Sequence, residues 1–505
     1  MPSRILRSSG VLLHPTSLPG PFGVGDLGSV AHDWIDALAA AGQTWWQVLP
    51  VGPTGYGDSP YQSPSTFAGN MNLISPERLR EWKLVGSDDV AKCELPPGPV
   101  TYHAVIPRKQ ELVRSAWHWF KAGTGAALGP AFNRFRADAA GWLDDFALFM
   151  ALKDAFSGAP WWEWPRGLAL RQKPDLRAAA ETFADDVDFY RFGQFLFARQ
   201  WDELRAYAHE RGVNVIGDLP IYVAADSADV WANPDLFMLD AGHRPKYVAG
   251  VPPDYFSKTG QLWGNPIYEW GAHLRQRFKW WGDRMAAACG LFDLVRLDHF
   301  LGVERYWSVP AGHPTARHGM WEPGPSDALL AALEKRLDGL PIIAEDLGLV
   351  TPEAEALRER FGLPGMRVLQ FAFGGAVEDR FLPHVFDRNL VVYTGTHDND
   401  TTRGWYENLT REERARYSQY TPEAKTDPVW ALTRLAWASV ADLAVVPLQD
   451  LLDLGSEARI NTPGTMAGNW RWRARDRDVA AGTTWVGRLR EFTTTYGRLT
   501  RSARP

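Results

Sequence analysis

The run LVRLDHF, from Leu294 to Phe300, decides how the rest of the chain is read. An apolar stretch that ends in an acidic residue reads as a strand running into a polar loop. Alternate residues of a strand face the same side, so Arg296 and Asp298 point together. His299 faces the other way in an ideal strand, although the twist of a strand end brings it within reach of a ligand. The same pattern recurs at Val213 to Asp218 (ending VIGDLP), at Pro341 to Asp346 (IIAEDLG) and at Leu390 to Thr394, which runs into GTHDND. Further strands are expected at Val11-Leu12-Leu13, Thr44 to Pro50, Met366 to Phe371 and Leu443 to Pro447.

Eight expected strands, near residues 12, 47, 215, 295, 343, 369, 392 and 445, alternate with amphipathic helices. That order predicts an α/β fold: a TIM (β/α)8 barrel with large inserted, mostly helical subdomains. An open doubly wound sheet is the alternative. No glycine-rich phosphate loop follows the first strand, which argues against its dinucleotide-binding version. Val30, Ala31, Trp34, Ile35, Leu38 and Ala39 recur at helical spacing and stop at Gly42. Another helix is expected across Phe189 to His209, and one opens with Thr351 as N-cap and Pro352 at its first position.

The expected organisation is a barrel start over 1–70, an inserted helical subdomain over 71–185, and the remaining barrel over 186–505. Loop insertions fall near 225–270, 301–325 and 400–430. The end from Thr493 reads as a fraying tail.

Composition narrows the function classes. The chain has 505 residues, 45% hydrophobic and 23% charged, enough for a large core. Basic residues number 54 against 60 acidic, and no basic stripe marks a nucleic-acid binder. No stretch has the length and apolarity to cross a bilayer, and the N-terminus lacks a signal-peptide core. The two cysteines, Cys93 and Cys289, lie outside any metal or disulfide spacing and read as buried free thiols, which fits a cytoplasmic protein. The 24 tryptophans, several clustered as at Trp45-Trp46, Trp161-Trp162-Glu163-Trp164 and Trp280-Trp281, could serve the core or stack on sugar rings.

Four acidic residues fall at strand ends: Asp218, Asp298, Glu345 and Asp398. One such residue is commonly a helix cap or loop ligand; four in a barrel converge on its C-terminal face. A guanidinium beside a carboxylate keeps it ionised, as a nucleophile requires, so Arg296 suits Asp298. A buried ion pair is the bland alternative. Glu345 follows Ile342-Ile343-Ala344, and an apolar setting near other carboxylates favours its protonated form, which suits a general acid. Asp346 points away and reads as structural. His397-Asp398 follows the small residues Thr394-Gly395-Thr396, which are expected to leave room for a ligand. A His/Asp pair also occurs in metal sites, but no further ligand stands at metal spacing. Glycosidic bond cleavage needs one carboxylic acid, one carboxylate and hydroxyl-binding partners, and this set supplies them.

At these residues the chain resembles the amylomaltase, or 4-α-glucanotransferase, family of the α-amylase clan. The likeness runs through HPTSLPGPFGVGDLG from His14, WWQVLPVGPTGYGDSPYQ from Trp45, GDLPIYVAADSADVW from Gly217 and GVPPDYFSKTGQLWGNPIY from Gly250. It continues through VRLDHF, IIAEDLG and YTGTHDNDTTRGWY to RINTPGTMAGNWRWR from Arg459. The resemblance implies Asp298 as nucleophile, Glu345 as general acid/base and Asp398 as a third carboxylate steadying the distorted sugar. It implies substrate contacts for Arg296, His397, Asp218 and Tyr61, a lid position for Trp263, and a distant glucan groove at Tyr56. His299 is a further expected substrate contact. The chain departs from the family pattern at Leu301, where a basic residue is usual, and across Gly319 to Pro325.

The function expected is retaining transfer of α-1,4-glucan segments to the 4-hydroxyl of an acceptor glucan or glucose. The partners are α-1,4-glucans and maltooligosaccharides, with no cofactor, metal, nucleic acid or membrane implied. A hydrolase using the same carboxylates and a non-catalytic glucan-binding protein are the rival readings.

Overall fold

Side-chain alternation sorts the strand residues into two cores. In the computed structural model, which describes residues 5–253, 257–375, 379–465 and 467–499, twelve strands are found among the described residues. They are β1 (Ser8–Leu12), β2 (Trp45–Gln47), β3 (Asn214–Pro220), β4 (Tyr247–Val251), β5 (Gln261–Pro266), β6 (Leu294–Asp298), β7 (Arg305–Pro310), β8 (Met320–Pro323), β9 (Ile342–Ala344), β10 (Gly365–Val368), β11 (Leu390–Tyr393) and β12 (Leu443–Pro447). Eight of them form one parallel sheet in the order β10-β11-β12-β1-β2-β3-β6-β9. The Ala344 N–H donates to the Pro364 carbonyl at 2.9 Å, and the Met366 N–H to Asp346 Oδ1 at 2.7 Å, which brings β9 against β10. The sheet thus curls into the expected barrel.

One core fills the barrel: Leu12, Ile216, Leu294, Ile343, Val391, Tyr393 and Val445 belong to it. Their strand neighbours Val11, Val215, Val295, Ile342, Val392 and Val446 face outward into the larger core beneath the helices. Each such fully buried aliphatic side chain contributes about 1.5–3 kcal/mol of transfer free energy. The parity has a chemical consequence. Asp218 is two residues past Ile216, Asp298 four past Leu294, and Glu345 two past Ile343, so all three carboxylates share the inward face.

The helix expected before Gly42 spans Ser29–Ala40. Gly42 ends it with φ 71°, a left-handed conformation, and a Cβ there would meet Leu499 Cδ2 at 2.5 Å. Thr351 caps the helix Pro352–Arg360 by accepting from the Ala354 N–H at 3.2 Å. The helix expected from Phe189 begins earlier and runs Ala184–Glu210. Between β2 and β3 there is no strand, only helices such as Tyr102–Lys121 and Leu143–Ala155.

Four details differ from the sequence reading. Residues near 225–270 and 301–325 are not only loops: β4, β5, β7 and β8 build an antiparallel sheet in the order β5-β4-β7-β8. These strands are short and interrupted by Gly and Pro, and their pairing partners are distant, so no local period announces them. Leu369–Phe371 is a 3-10 turn, not strand. The end of the chain does not fray at Thr493: Thr493 and Arg498 are fully buried, and Arg498 donates to the Trp437, Ser8 and Ser439 carbonyls. Cys93 is buried as expected but Cys289 only partly so; both are free. Most of the clustered tryptophans are core, as Trp46, Trp161, Trp164, Trp280 and Trp281 are buried, while Trp45 and Trp162 are partly buried. No helix among the described residues is long and apolar enough to cross a membrane.

Candidate active site

Arg296 is the hub. Its Nη1 donates to both oxygens of Asp218, at 2.9 and 2.7 Å, and its Nη2 donates to Asp298 Oδ1 at 2.6 Å. Adjacent parallel strands put these groups together, because Asp218 pairs with Arg296 across β3 and β6. The two carboxylates hold the buried Arg296 guanidinium well above its ordinary value, against the opposing cost of burial. The pairing fixes both carboxyl groups in place, and burial still pushes the Asp218 carboxyl up from its ordinary value, with Arg296 opposing the rise. Asp298 remains partly open, with 29% of its side chain exposed.

Glu345 enters from the next strand. Leu297 on β6 pairs with Ala344 on β9, so Asp298 and Glu345 are the next residues along the two strands. Neighbouring strands lie about 4.8 Å apart, so the two residues stand side by side at the C-terminal ends of β6 and β9. Glu345 Oε2 accepts from the His299 N–H at 2.8 Å and Oε1 from the Leu347 N–H at 3.0 Å. Burial pushes its carboxyl up to about 8, with Asp298 adding to the rise and Arg296 opposing it. The expected general acid is therefore protonated at neutral pH.

His299 follows β6 with φ 55°. That left-handed turn aims its N–H at Glu345 and sends its ring edge-to-face onto Trp263, with centroids 4.8 Å apart. Burial brings the imidazole down to about 4, so it is neutral. Trp263 lies on β5, and its contact with His299 joins the antiparallel sheet to the carboxylate cluster.

Tyr61 arrives on a 3-10 turn, Pro60–Gln62, after β2; Ser59 Oγ caps it by accepting the Tyr61 N–H at 3.2 Å. Its hydroxyl lies 2.8 Å from Asp218 Oδ2 and 2.9 Å from His397 Nε2. Burial, reinforced by Asp218, holds the phenol well above its ordinary value. One phenolic proton serves only one acceptor, so it goes to Asp218 and His397 donates to Tyr61 from Nε2. The rings stack at 5.2 Å with 14° between planes. The same Nε2 lies 3.3 Å from Asp398 Oδ1.

Asp398 is anchored from the far end of the chain. Asn461 Nδ2 donates to its Oδ1 at 2.6 Å, and Arg459 Nη2 to its carbonyl at 2.5 Å. The expected reason for the small residues before it is corrected. Thr394 is buried and donates to Asp450 Oδ2 at 2.7 Å, while a Cβ on Gly395 would meet Gln370 Nε2 at 2.7 Å. Those residues admit neighbouring protein, not ligand.

The structure therefore brings together Asp218, Arg296, Asp298, His299, Glu345, His397, Asp398, Tyr61 and Trp263. Tyr56 stands apart, 72% exposed on its own turn. Sequence reasoning missed Asn461, Arg459, Trp470 and His14 as members of the site. All four lie within the motifs RINTPGTMAGNWRWR and HPTSLPG, but nothing local in those stretches points to partners so far away along the chain. His14 is buried and, through burial and the nearby His397, comes down to about 3. Among the described residues no group of three or more His, Cys, Asp or Glu could hold a metal ion.

Comparison with known proteins accords with this geometry. The family model described as 4-alpha-glucanotransferase matches residues 13–478. A 4-alpha-glucanotransferase of Thermus thermophilus is 51% identical over 475 residues, covering 92% of this chain and 94% of that one. One from Synechocystis is 47% identical over 498 residues, covering 97% and 98%. Among solved structures, the amylomaltase from Streptococcus agalactiae in complex with acarbose superposes with a TM-score of 0.94 at 37% identity, covering 98% and 100% of the two chains.

Proposed function

The chain belongs to the 4-alpha-glucanotransferase family, and on that premise we propose that Asp298, Glu345 and Asp398 carry the transfer of α-1,4-glucan segments. An Asp298 carboxylate oxygen attacks the anomeric carbon of the donor. As the C1–O bond breaks, Glu345 gives its proton to the departing glycosidic oxygen, leaving a β-glucosyl ester on Asp298. The shortened glucan leaves as an alcohol. Glu345, now a carboxylate, takes the proton from an acceptor 4-hydroxyl, whose oxygen attacks C1 and releases Asp298. Two inversions give retention.

The observation that carries this reading is the register of β6 against β9, which sets Asp298 beside a protonated Glu345. Arg296 holds the nucleophile in place by donating to its Oδ1. Asp398, with His397 and Tyr61, holds hydroxyls of the donor ring and faces the cationic transition state with negative charge. Trp263, beside His299, covers the acceptor side and limits water there. Tyr56 contacts a more distant stretch of glucan. The substrates are starch-type glucans and maltooligosaccharides, and the free cysteines fit a cytoplasmic setting.

The test is incubation of the protein with maltotriose, resolving products by chain length. A ladder of longer oligosaccharides with free glucose is expected. Shorter sugars alone, with rising reducing ends, would replace transfer with hydrolysis; no reaction would leave a binding protein.

A further inference from the structure

Trp470 takes no part in the steps above, yet it touches two of the groups that do. Its ring lies 5.7 Å from Tyr61 and 5.9 Å from His397, tilted by 41° and 37°. Since Tyr61 and His397 stack on each other, the three rings form a closed triangle. The indole thus packs against Tyr61, which is bonded to Asp218, and against His397, which lies 3.3 Å from Asp398. Trp470 itself is buried and belongs to the core that fills the barrel, with Ile460, Val100 and Tyr102.

Its backbone is held in an unusual state. Trp470 has φ 63°, the left-handed region, which is costly for a bulky residue and persists where the surroundings over-determine it. They do so here. The Trp470 N–H donates to the Ile460 carbonyl at 2.7 Å, and the Tyr102 hydroxyl donates to the Trp470 carbonyl at 3.1 Å. At the next residue, the Val100 N–H donates to the Arg471 carbonyl at 2.8 Å and Arg471 Nε returns a bond to the Val100 carbonyl at 2.9 Å. Three of these four bonds come from residues 100–102, at the start of the helix Tyr102–Lys121, in the long stretch between β2 and β3.

We propose that Trp470 is a positioning residue for glucan transfer, fixing Tyr61 and His397 in their hydrogen-bonded rotamers, and that Val100–Tyr102 is the latch that holds it. The proposal rests on the reading of Tyr61 and His397 as donor-sugar contacts. It gives the strand-free segment between β2 and β3 a part in catalysis: it closes the donor site from behind. A group that pre-sets geometry without touching the sugar acts mainly on kcat, because the loosened rings still bind the ground state.

The experiment is a double-mutant cycle on maltotriose disproportionation with Trp470→Ala, Trp470→Phe and Tyr61→Phe, with melting temperatures measured alongside. Trp470→Ala is expected to lower kcat by about 10–100-fold while KM moves by less than about 3-fold. Trp470→Phe, which keeps a ring, is expected to recover most of that loss. The Trp470→Ala/Tyr61→Phe protein is expected to be no worse than the poorer single variant within about 3-fold, because the two changes remove the same constraint. Multiplying losses, or a fall in kcat that follows the loss of melting temperature across the variants, would overturn the proposal. Should Trp470→Ala fail to fold, the cycle of Trp470→Leu against Tyr61→Phe decides, with the same non-additivity expected and multiplicative losses overturning it. If the wild type makes no longer oligosaccharides, the transferase reading itself fails, and the wild-type control shows this before any variant is compared.

Discussion

Replacing Glu345 with Gln separates the chemistry of this residue from what its burial costs the fold. The carboxyl is lifted from an ordinary 4.5 to about 8 because burial disfavours its charged form. Between those two values the folded chain keeps a proton that the unfolded chain has released, so the unfolded state gains and stability falls as pH rises. At pH 7 the gap from 4.5 is about 2.5 units, and at about 1.4 kcal/mol per unit this costs about 3 kcal/mol. A chain of 505 residues unfolds with an entropy of about 1 kcal/mol per kelvin, so the cost amounts to about 3 °C in melting temperature. Gln does not titrate. It does pay a fixed penalty for turning an amide toward the His299 or Leu347 N–H, and that penalty cancels when two pH values are compared. The melting temperature of the variant minus that of the wild type is therefore expected to rise by about 3 °C from pH 4.5 to pH 7. Transfer activity of the variant is expected to fall by at least about 10³-fold, since no proton is available to the leaving oxygen. In the wild type, kcat/KM should decline as pH rises through about 8. A melting-temperature gap that does not change with pH, together with activity undiminished at pH 9, would show that Glu345 is ionised in the folded protein and refute the argument.

Asp298→Asn should leave the fold intact and lower transfer by at least about 10³-fold, read as loss of the maltooligosaccharide ladder with a melting temperature near that of the wild type. Arg296→Met strips away the guanidinium that bridges Asp218 and Asp298; breaking a buried pair in this way costs about 3–5 kcal/mol, seen by calorimetry as a fall of a few degrees. Asp346→Ala should destabilise by a similar amount, because Arg358, Arg367 and Arg380 all lie within 3.5 Å of its carboxylate; amide exchange should rise first in β10, whose Met366 N–H loses its acceptor. Trp263→Ala opens the acceptor side, and the ratio of glucose released by water to glucan transferred should rise several-fold, measured from reducing ends against chain-length distribution.

The strand-end carboxylates were legible because a strand has a fixed two-residue period. Apolar runs such as LVRLD and IIAED both announce the strand and fix which residue of its end faces inward, so Arg296, Asp298 and Glu345 could be read from neighbouring letters. Asp346 was legible as structural for the same reason, one residue out of phase. What the letters could not show is convergence. Tyr61 and His397 are 336 residues apart and meet only because the barrel closes; Asn461 reaches Asp398 and Trp470 reaches Tyr61 on loops that have no period at all. The antiparallel sheet that delivers Trp263 is likewise built from short strands whose pairing is non-local. The small residues before Asp398 were read as space for a ligand, yet Gln370 and Asp450 already stand there. Local periodicity, set by backbone geometry, is written into the sequence. Contacts between distant segments, rotamers and proton affinities depend on what burial brings together, and only the folded chain decides them.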